Sequence, residues 1–78
     1  MTVTVLYFAS LRDAAGIDRE QLPTPASLPA LYRQLCDRHG FTMPAERLRV
    51  AVDGEFTGWE QVPADGAEIA FIPPVSGG

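Results

Sequence analysis

The chain has no lysine, a single cysteine, a single histidine and a single tryptophan, and each shortage excludes something. Without lysine, no side chain can accept an isopeptide bond, whatever the chain's own C-terminus donates. Cys36 alone cannot close an internal disulfide, and it supplies too few thiolates for a zinc ribbon or a cysteine-ligated iron–sulfur cluster. This cysteine usage predicts a reducing, cytoplasmic location. His39 has no cysteine or carboxylate at ligand spacing, so no bound metal is expected. No apolar run approaches the ~18 residues of a membrane span. No charged segment followed by an apolar stretch opens the chain, so no signal peptide is read. A Ser/His/Asp set and a P-loop are both missing, which argues against an enzyme acting alone. Positive charge is scarce as well. Ten acids against six arginines leave a net charge of −4, which argues against nucleic acid as a partner. Taken over the whole molecule, this balance favours a basic partner surface.

What remains is one small domain. Seventy-eight residues, 46% of them hydrophobic, suffice for one core and exclude disorder by composition. Val3, Val5 and Tyr7 alternate with Thr4, Leu6 and Phe8. Both sets are strand formers, so Val3–Ala9 reads as a central strand buried on both faces. Ser10 to Ala15 has short helical or turn character, closed by Gly16. Asp18 to Leu22 is a second short strand, expected to pair with the first as a hairpin and to end at Pro23.

Ser27 is an N-cap candidate and Pro29 falls in the first helical turn, where a missing N–H costs little. Leu28, Leu31, Tyr32, Leu35 and His39 follow the spacing of one helix face, and Gly40 suits the position just past the end. The main helix is therefore predicted over Ser27–His39, with His39 as a terminal cap residue and Cys36 as a small core residue at the edge of the stripe. Phe41 to Arg47 is a connection. Leu48, Val50 and Val52 alternate with Arg49, Ala51 and Asp53 in a strand with one polar-tolerant face. Asp53-Gly54 signals a tight turn. Glu55 to Val62 is a short strand and loop, with Trp59 half-buried against the core, and Ala67–Ile72 is a last apolar strand. The order β-β-α-β-β predicts an α+β fold, with the first and last strands side by side at the centre of a mixed sheet and one main helix across it. That arrangement is the β-grasp, or ubiquitin-like, fold. It would occupy residues 1–74, leaving residues 75–78 as a flexible tail.

That tail is the most informative segment. Phe71-Ile72-Pro73-Pro74-Val75-Ser76-Gly77-Gly78 closes the sequence. Pro73-Pro74 favours an extended backbone, and at ~3.1 Å per residue the six residues from Pro73 to Gly78 would reach roughly 19 Å. Two glycines without Cβ atoms can thread a channel too narrow for other residues. The expectation is a stiff root, a slim tip and a carboxylate used as a chemical group.

The same residues carry a resemblance to a known family. Val3-Thr4-Val5-Leu6-Tyr7-Phe8-Ala9-Ser10-Leu11-Arg12, Ala15-Gly16, Val50-Ala51-Val52-Asp53-Gly54 and, above all, the run from Asp65 to Gly78 resemble the small, sulfur-carrying subunit of molybdopterin synthase, the MoaD family. The family often has Asn at the position of Asp53 and Asp at that of Ala67. Both departures lie in turns and neither touches the tail.

The resemblance implies that an ATP-dependent adenylating enzyme activates the Gly78 carboxylate and that a sulfur donor converts it to a thiocarboxylate. The tail then enters the large synthase subunit, in a heterotetramer, and gives sulfur to cyclic pyranopterin monophosphate. Gly77 would allow passage through the partner's channel. The chain itself would bind no cofactor, ATP being used by the activating enzyme. Docking is assigned by position to an apolar patch of Phe56, Ile72 and Val75, with Arg12 pairing an acidic group on a partner. For Phe56 and Ile72 the alternative is ordinary core, and for Arg12 a solvated surface charge. Two other functions stay open: a sulfur carrier of thiamine synthesis or tRNA thiolation, and a ubiquitin-like binding module that never uses its terminus.

Overall fold

A computed structural model describes residues 1–74. The expected mobility of the tail, and the candidates Val75, Gly77 and Gly78, lie outside the described residues. In chain order the elements are β1 (Thr2–Tyr7), α1 (Ala9–Ala15), β2 (Arg19–Pro23), α2 (Leu28–His39), a 3₁₀ turn (Ala45–Arg47), β3 (Arg49–Val52), β4 (Glu55–Thr57) and β5 (Glu68–Ile72). They form one five-stranded sheet in the order β2-β1-β5-β3-β4. β1 and β5 are parallel neighbours at its centre, whereas β1–β2, β3–β4 and β3–β5 are antiparallel. The α+β architecture with the first and last strands side by side is the β-grasp arrangement that the order of elements predicts.

The local signals account for most boundaries. Ser27 is extended (φ −157°, ψ 161°) and its Oγ accepts a hydrogen bond from the Ala30 N–H at 3.1 Å, which caps α2. Gly40 ends the helix in the left-handed region (φ 74°), where its N–H donates to the Cys36 carbonyl at 2.8 Å. Asp53 and Gly54 both have positive φ (52° and 86°) and form a two-residue turn between Val52 and Glu55, with the twist that tight hairpins require.

β1 departs from expectation in two ways. It stops at Tyr7 because Ala9 turns into the left-handed region (φ 51°) and begins α1, leaving Phe8 as the extended residue before that helix. It is also buried on one face only. Val3, Val5 and Tyr7 are at most 2% exposed, while Thr4 and Leu6 are half-buried. Both helices serve the same face: Leu28, Leu31, Tyr32 and Leu35 of α2 and Leu11 of α1 join Val3, Val5, Leu22, Val50, Ile69 and Phe71 in one core.

An aromatic seam closes that core. Tyr32 lies 5.4 Å from Phe71, 6.0 Å from Trp59 and 6.2 Å from Phe41 between ring centroids, and Trp59 stacks on Phe71 at 5.5 Å. Trp59 is half-buried there, as expected. The Tyr32 hydroxyl donates to the Met43 carbonyl at 2.6 Å, satisfying the polar end of a buried ring. Cys36 is half-buried against this core.

Candidate functional site

Strand period and register place a second set of side chains on the face that no helix covers. Residues paired directly across a sheet point to the same side. Phe56 pairs with Ala51, Ala51 with Ala70, Ala70 with Leu6 and Leu6 with Arg19, so these five residues form one row across all five strands. Ile72 pairs with Arg49 in the next row toward the end of β5. Phe8 prolongs the extended backbone of β1 (φ −132°, ψ 150°), two residues beyond Leu6 on the same side. The middle of the row is made of small side chains, Ala51 and Ala70, each 8% exposed. The margins carry large ones: Phe56 is 66% exposed, Phe8 is 43% exposed, and Leu6 and Ile72 are half-buried. The result is a shallow apolar trough on the open face of the sheet.

The sequence-based candidates sort clearly against this geometry. Phe56 and Ile72 lie on one face, in adjacent rows. Arg12, in α1, is not in a row of the sheet. It lines a depression of about 190 Å³ with Leu6, Tyr7, Phe8, Asp18 and Arg19 at the margin of the trough. Leu6, Phe8, Ala51, Ala70, Arg19 and Arg49 went unrecognised as members of the same surface. The signal was present: the Thr4, Leu6, Phe8 set alternates with the core set. From sequence alone it reads as a second buried face because its residues are nearly as apolar. Charge on this face is also uneven. Arg19 and Arg49 flank the apolar residues. The acids Glu68 and Asp53 lie at the opposite end of β5 and β3, where Asp53 Oδ1 accepts the Glu68 N–H at 2.9 Å.

The trough adjoins the exit of the chain. β5 runs through the centre of the sheet and ends at Ile72, and Pro73 is buried. The root of the terminal segment is thus fixed to the core, beside Phe8 and Ile72.

A second cluster, at the β2 edge, corrects the role expected of His39. It is no simple terminal cap. Its Nε2 lies 2.5 Å from Glu20 Oε1, and the same oxygen accepts a hydrogen bond from the Tyr7 hydroxyl at 2.5 Å. Arg38 Nε is 3.2 Å from Glu20 Oε2. Burial alone would raise the Glu20 carboxyl. The hydrogen bonds from Tyr7 and His39 and the charges of His39 and Arg38 outweigh it and hold the group below its ordinary 4.5. Burial, reinforced by the Glu20 hydrogen bond and charge, pushes the Tyr7 hydroxyl far up, so it stays a donor. The cluster ties the end of α2 to the edge strand. Its carboxylate comes from a residue 19 positions away from His39, so spacing along the chain does not reveal it. Among the described residues, no group of three or more His, Cys, Asp or Glu side chains could hold a metal, and no helix is long and apolar enough to cross a membrane.

Comparison with known proteins adds a further set of findings. Residues 5–78 match the ThiS family. The chain is 31% identical over 80 residues to the molybdopterin synthase sulfur carrier subunit of Escherichia coli strain K12, covering 97% of this chain and 99% of that protein. It is 34% identical over 82 residues to the human protein of the same name, covering 97% and 93%. Among solved structures, the small archaeal modifier protein 1 of Methanosarcina acetivorans superposes with a TM-score of 0.80 at 27% identity, covering 99% of this chain and 96% of that one. SAMP1 from Haloferax volcanii superposes with a TM-score of 0.79 at 25% identity over the whole of both chains.

Proposed function

The chain belongs to the ThiS family, alongside the molybdopterin synthase sulfur carrier subunits, and from that premise we propose that it is the sulfur-carrying small subunit of a molybdopterin synthase. The observation that carries this reading is similarity to such subunits over nearly the whole chain. Those relatives, together with Pro73-Pro74-Val75-Ser76-Gly77-Gly78, favour this branch over carriers of thiamine synthesis or tRNA thiolation. The active group is the Gly78 carboxylate, so the chain is a substrate and a subunit rather than a catalyst on its own.

A carboxylate resists nucleophiles, because attack must build further negative charge on it. In the proposed cycle an ATP-dependent partner joins the Gly78 carboxylate to AMP and releases pyrophosphate. A sulfur nucleophile then attacks the acyl carbon, AMP leaves, and a thiocarboxylate remains. That group is a soft nucleophile suited to delivering sulfur to cyclic pyranopterin monophosphate within the large subunit. Two deliveries complete a dithiolene. Gly77 and Gly78 keep the tip thin enough to enter both partners, and the buried root at Pro73 fixes where the tip starts. The trough around Phe56, Ile72, Leu6 and Phe8 is the docking surface, with Arg12 at its margin; Val75, outside the described residues, is assigned to docking by its place in the sequence alone. An exposed apolar patch of this kind marks a surface built for association.

The test is intact-mass analysis after incubation with the adenylating enzyme, ATP and sulfide. The chain should gain the mass difference between sulfur and oxygen, and transfer it on adding the large subunit and precursor. Deleting Gly78 should abolish both steps while leaving thermal unfolding unchanged, since acyl transfer tolerates misplacement of about an ångström at most. Sulfur transfer by the deletion variant would refute the proposal.

A further inference from the structure

We propose that the partner surface receiving the trough is an apolar hollow rimmed by carboxylates, and that Arg12, Arg19 and Arg49 meet those carboxylates and orient the complex. This inference rests on the docking role assigned to the trough. It reverses the expectation from whole-molecule charge, which favours a basic partner.

The chain carries a net charge of −4, yet three of its six arginines surround one face. Arg19 closes the row that contains Leu6, Ala70, Ala51 and Phe56, and Arg49 sits in register with Ile72. Arg12 lines the same depression as Leu6, Phe8 and Arg19, with Asp18 as the one acid there. Glu68 and Asp53 lie four residues back from Ile72 and Arg49, about 13 Å at ~3.3 Å per residue, and about half that from the row of Arg19, and Asp53 shares a depression with Glu55 and Phe56. The face therefore runs from acidic to basic toward the point where the terminal segment leaves the sheet.

Among the described residues these arginines make no salt bridge: the pairs there are Arg38–Glu20 and His39–Glu20. The Arg49 guanidinium rests 5.9 Å from the centroid of the Phe56 ring, which steadies it over the apolar surface. A partner that covers the trough must dehydrate these cations in part. That is costly unless carboxylates replace the lost water, whereas like charge would be repelled. Because the cations lie along the Leu6 and Ile72 rows and the acids toward the Glu68 end, the face also selects one of the two ways round in which a flat trough could be occupied.

The experiment compares charge reversals that are equal in total but different in place. R19E/R49E and R33E/R47E each change the net charge from −4 to −8, and all four positions are exposed. Association of the full chain with the large subunit of molybdopterin synthase from the same organism is followed by stopped flow across a salt series. R19E/R49E should slow association roughly tenfold or more at low salt and reverse its salt dependence, while R33E/R47E changes it less than about threefold. Equal effects of the two pairs, or no effect of R19E/R49E, would overturn the inference. R19Q/R49Q removes the charges without reversing them and should show the same order with a smaller slowing, and thermal melts confirm folding. Phe56→Asp separates this inference from the reading beneath it. Loss of binding by Phe56→Asp with normal binding by R19E/R49E sinks only the carboxylate rim. Normal binding by Phe56→Asp removes the docking face, and with it the inference.

Discussion

Val3, Val5, Ile69 and Phe71 are no more than 1% exposed on the helix-covered face. One residue further along the same strands, Leu6 and Ile72 remain half-exposed on the other. The residue types barely differ between the two sets. What differs is the covering layer, because both helices pack on one side. A period of two thus lets one short strand serve stability with alternate residues and leave those between uncovered, where the proposed docking surface lies. The covered face is filled by large side chains in mutual contact. The open face has alanines at its centre and large apolar residues at its margins, a shape that leaves space for a partner's side chains.

The largest expected effect tests that division directly. Phe71 and Ile72 are sequence neighbours on opposite faces. Phe71→Ala would remove a ring in contact with Tyr32 and Trp59 and should cost about 3–5 kcal/mol. A domain of this size has about 4–12 kcal/mol in all, so much of the population should be unfolded at physiological temperature. Ile72→Ala should cost about 1 kcal/mol, since the side chain is only half-buried. Chemical denaturation of both variants gives the answer. Equal losses would mean that the two faces do not divide the work as described.

The β2 edge shows where the covered face stops being apolar. Glu20 points to the same side as Val5, its register partner, and is neutralised there by Tyr7, His39 and Arg38. Glu20→Gln should cost about 1–2 kcal/mol at neutral pH by removing charge from these hydrogen bonds. The pH dependence has a definite sign. The carboxyl's folded pKa lies below its ordinary value, so its stabilisation is complete above the unfolded pKa and disappears as pH falls through the folded one. Wild-type and Glu20→Gln melting curves should therefore draw together as pH falls below the ordinary carboxylate range. Curves that stay equally separated down to pH 3 would show that the charge contributes nothing and that the loss is one of shape.

How far the sequence revealed this molecule follows the same line between faces. α2, its cap at Ser27, its stop at Gly40 and the Asp53-Gly54 turn were legible because each is decided by residues within a few positions of one another. The central pairing of β1 with β5 followed from the order of elements. The open face is legible only in part: Phe56 and Ile72 are assigned to it by position, whereas Leu6 and Phe8 are not, because alternation does not tell an apolar residue facing a helix from one left uncovered. The Glu20 cluster was missed for a similar reason, since it joins β1, β2 and α2 through the fold alone. Net charge, which over the whole molecule favours a basic partner, carries no information on placement. It averages over a surface on which three of the six arginines surround one face.

The smallest expected effect concerns the far end of the open face, where Asp53 has two roles that one pair of variants separates. Its backbone is in the left-handed region (φ 52°), which Asn and Asp tolerate better than other side chains except glycine. Its carboxylate also accepts the Glu68 N–H at 2.9 Å, linking the β3–β4 turn to the start of β5. Asp53→Asn keeps the conformational preference and retains a carbonyl acceptor, so the change in stability should stay within about 0.5 kcal/mol. Asp53→Ala loses both the preference and the acceptor and should cost about 1–2 kcal/mol. Neither variant should alter association with the large subunit as R19E/R49E does, because Asp53 lies at the end of the face away from Ile72. Thermal denaturation of the two variants beside stopped-flow association resolves the question. If Asp53→Ala slowed association as strongly as R19E/R49E, the docking surface would extend over the whole face and the division between its acidic and basic ends would have no part in orienting the partner.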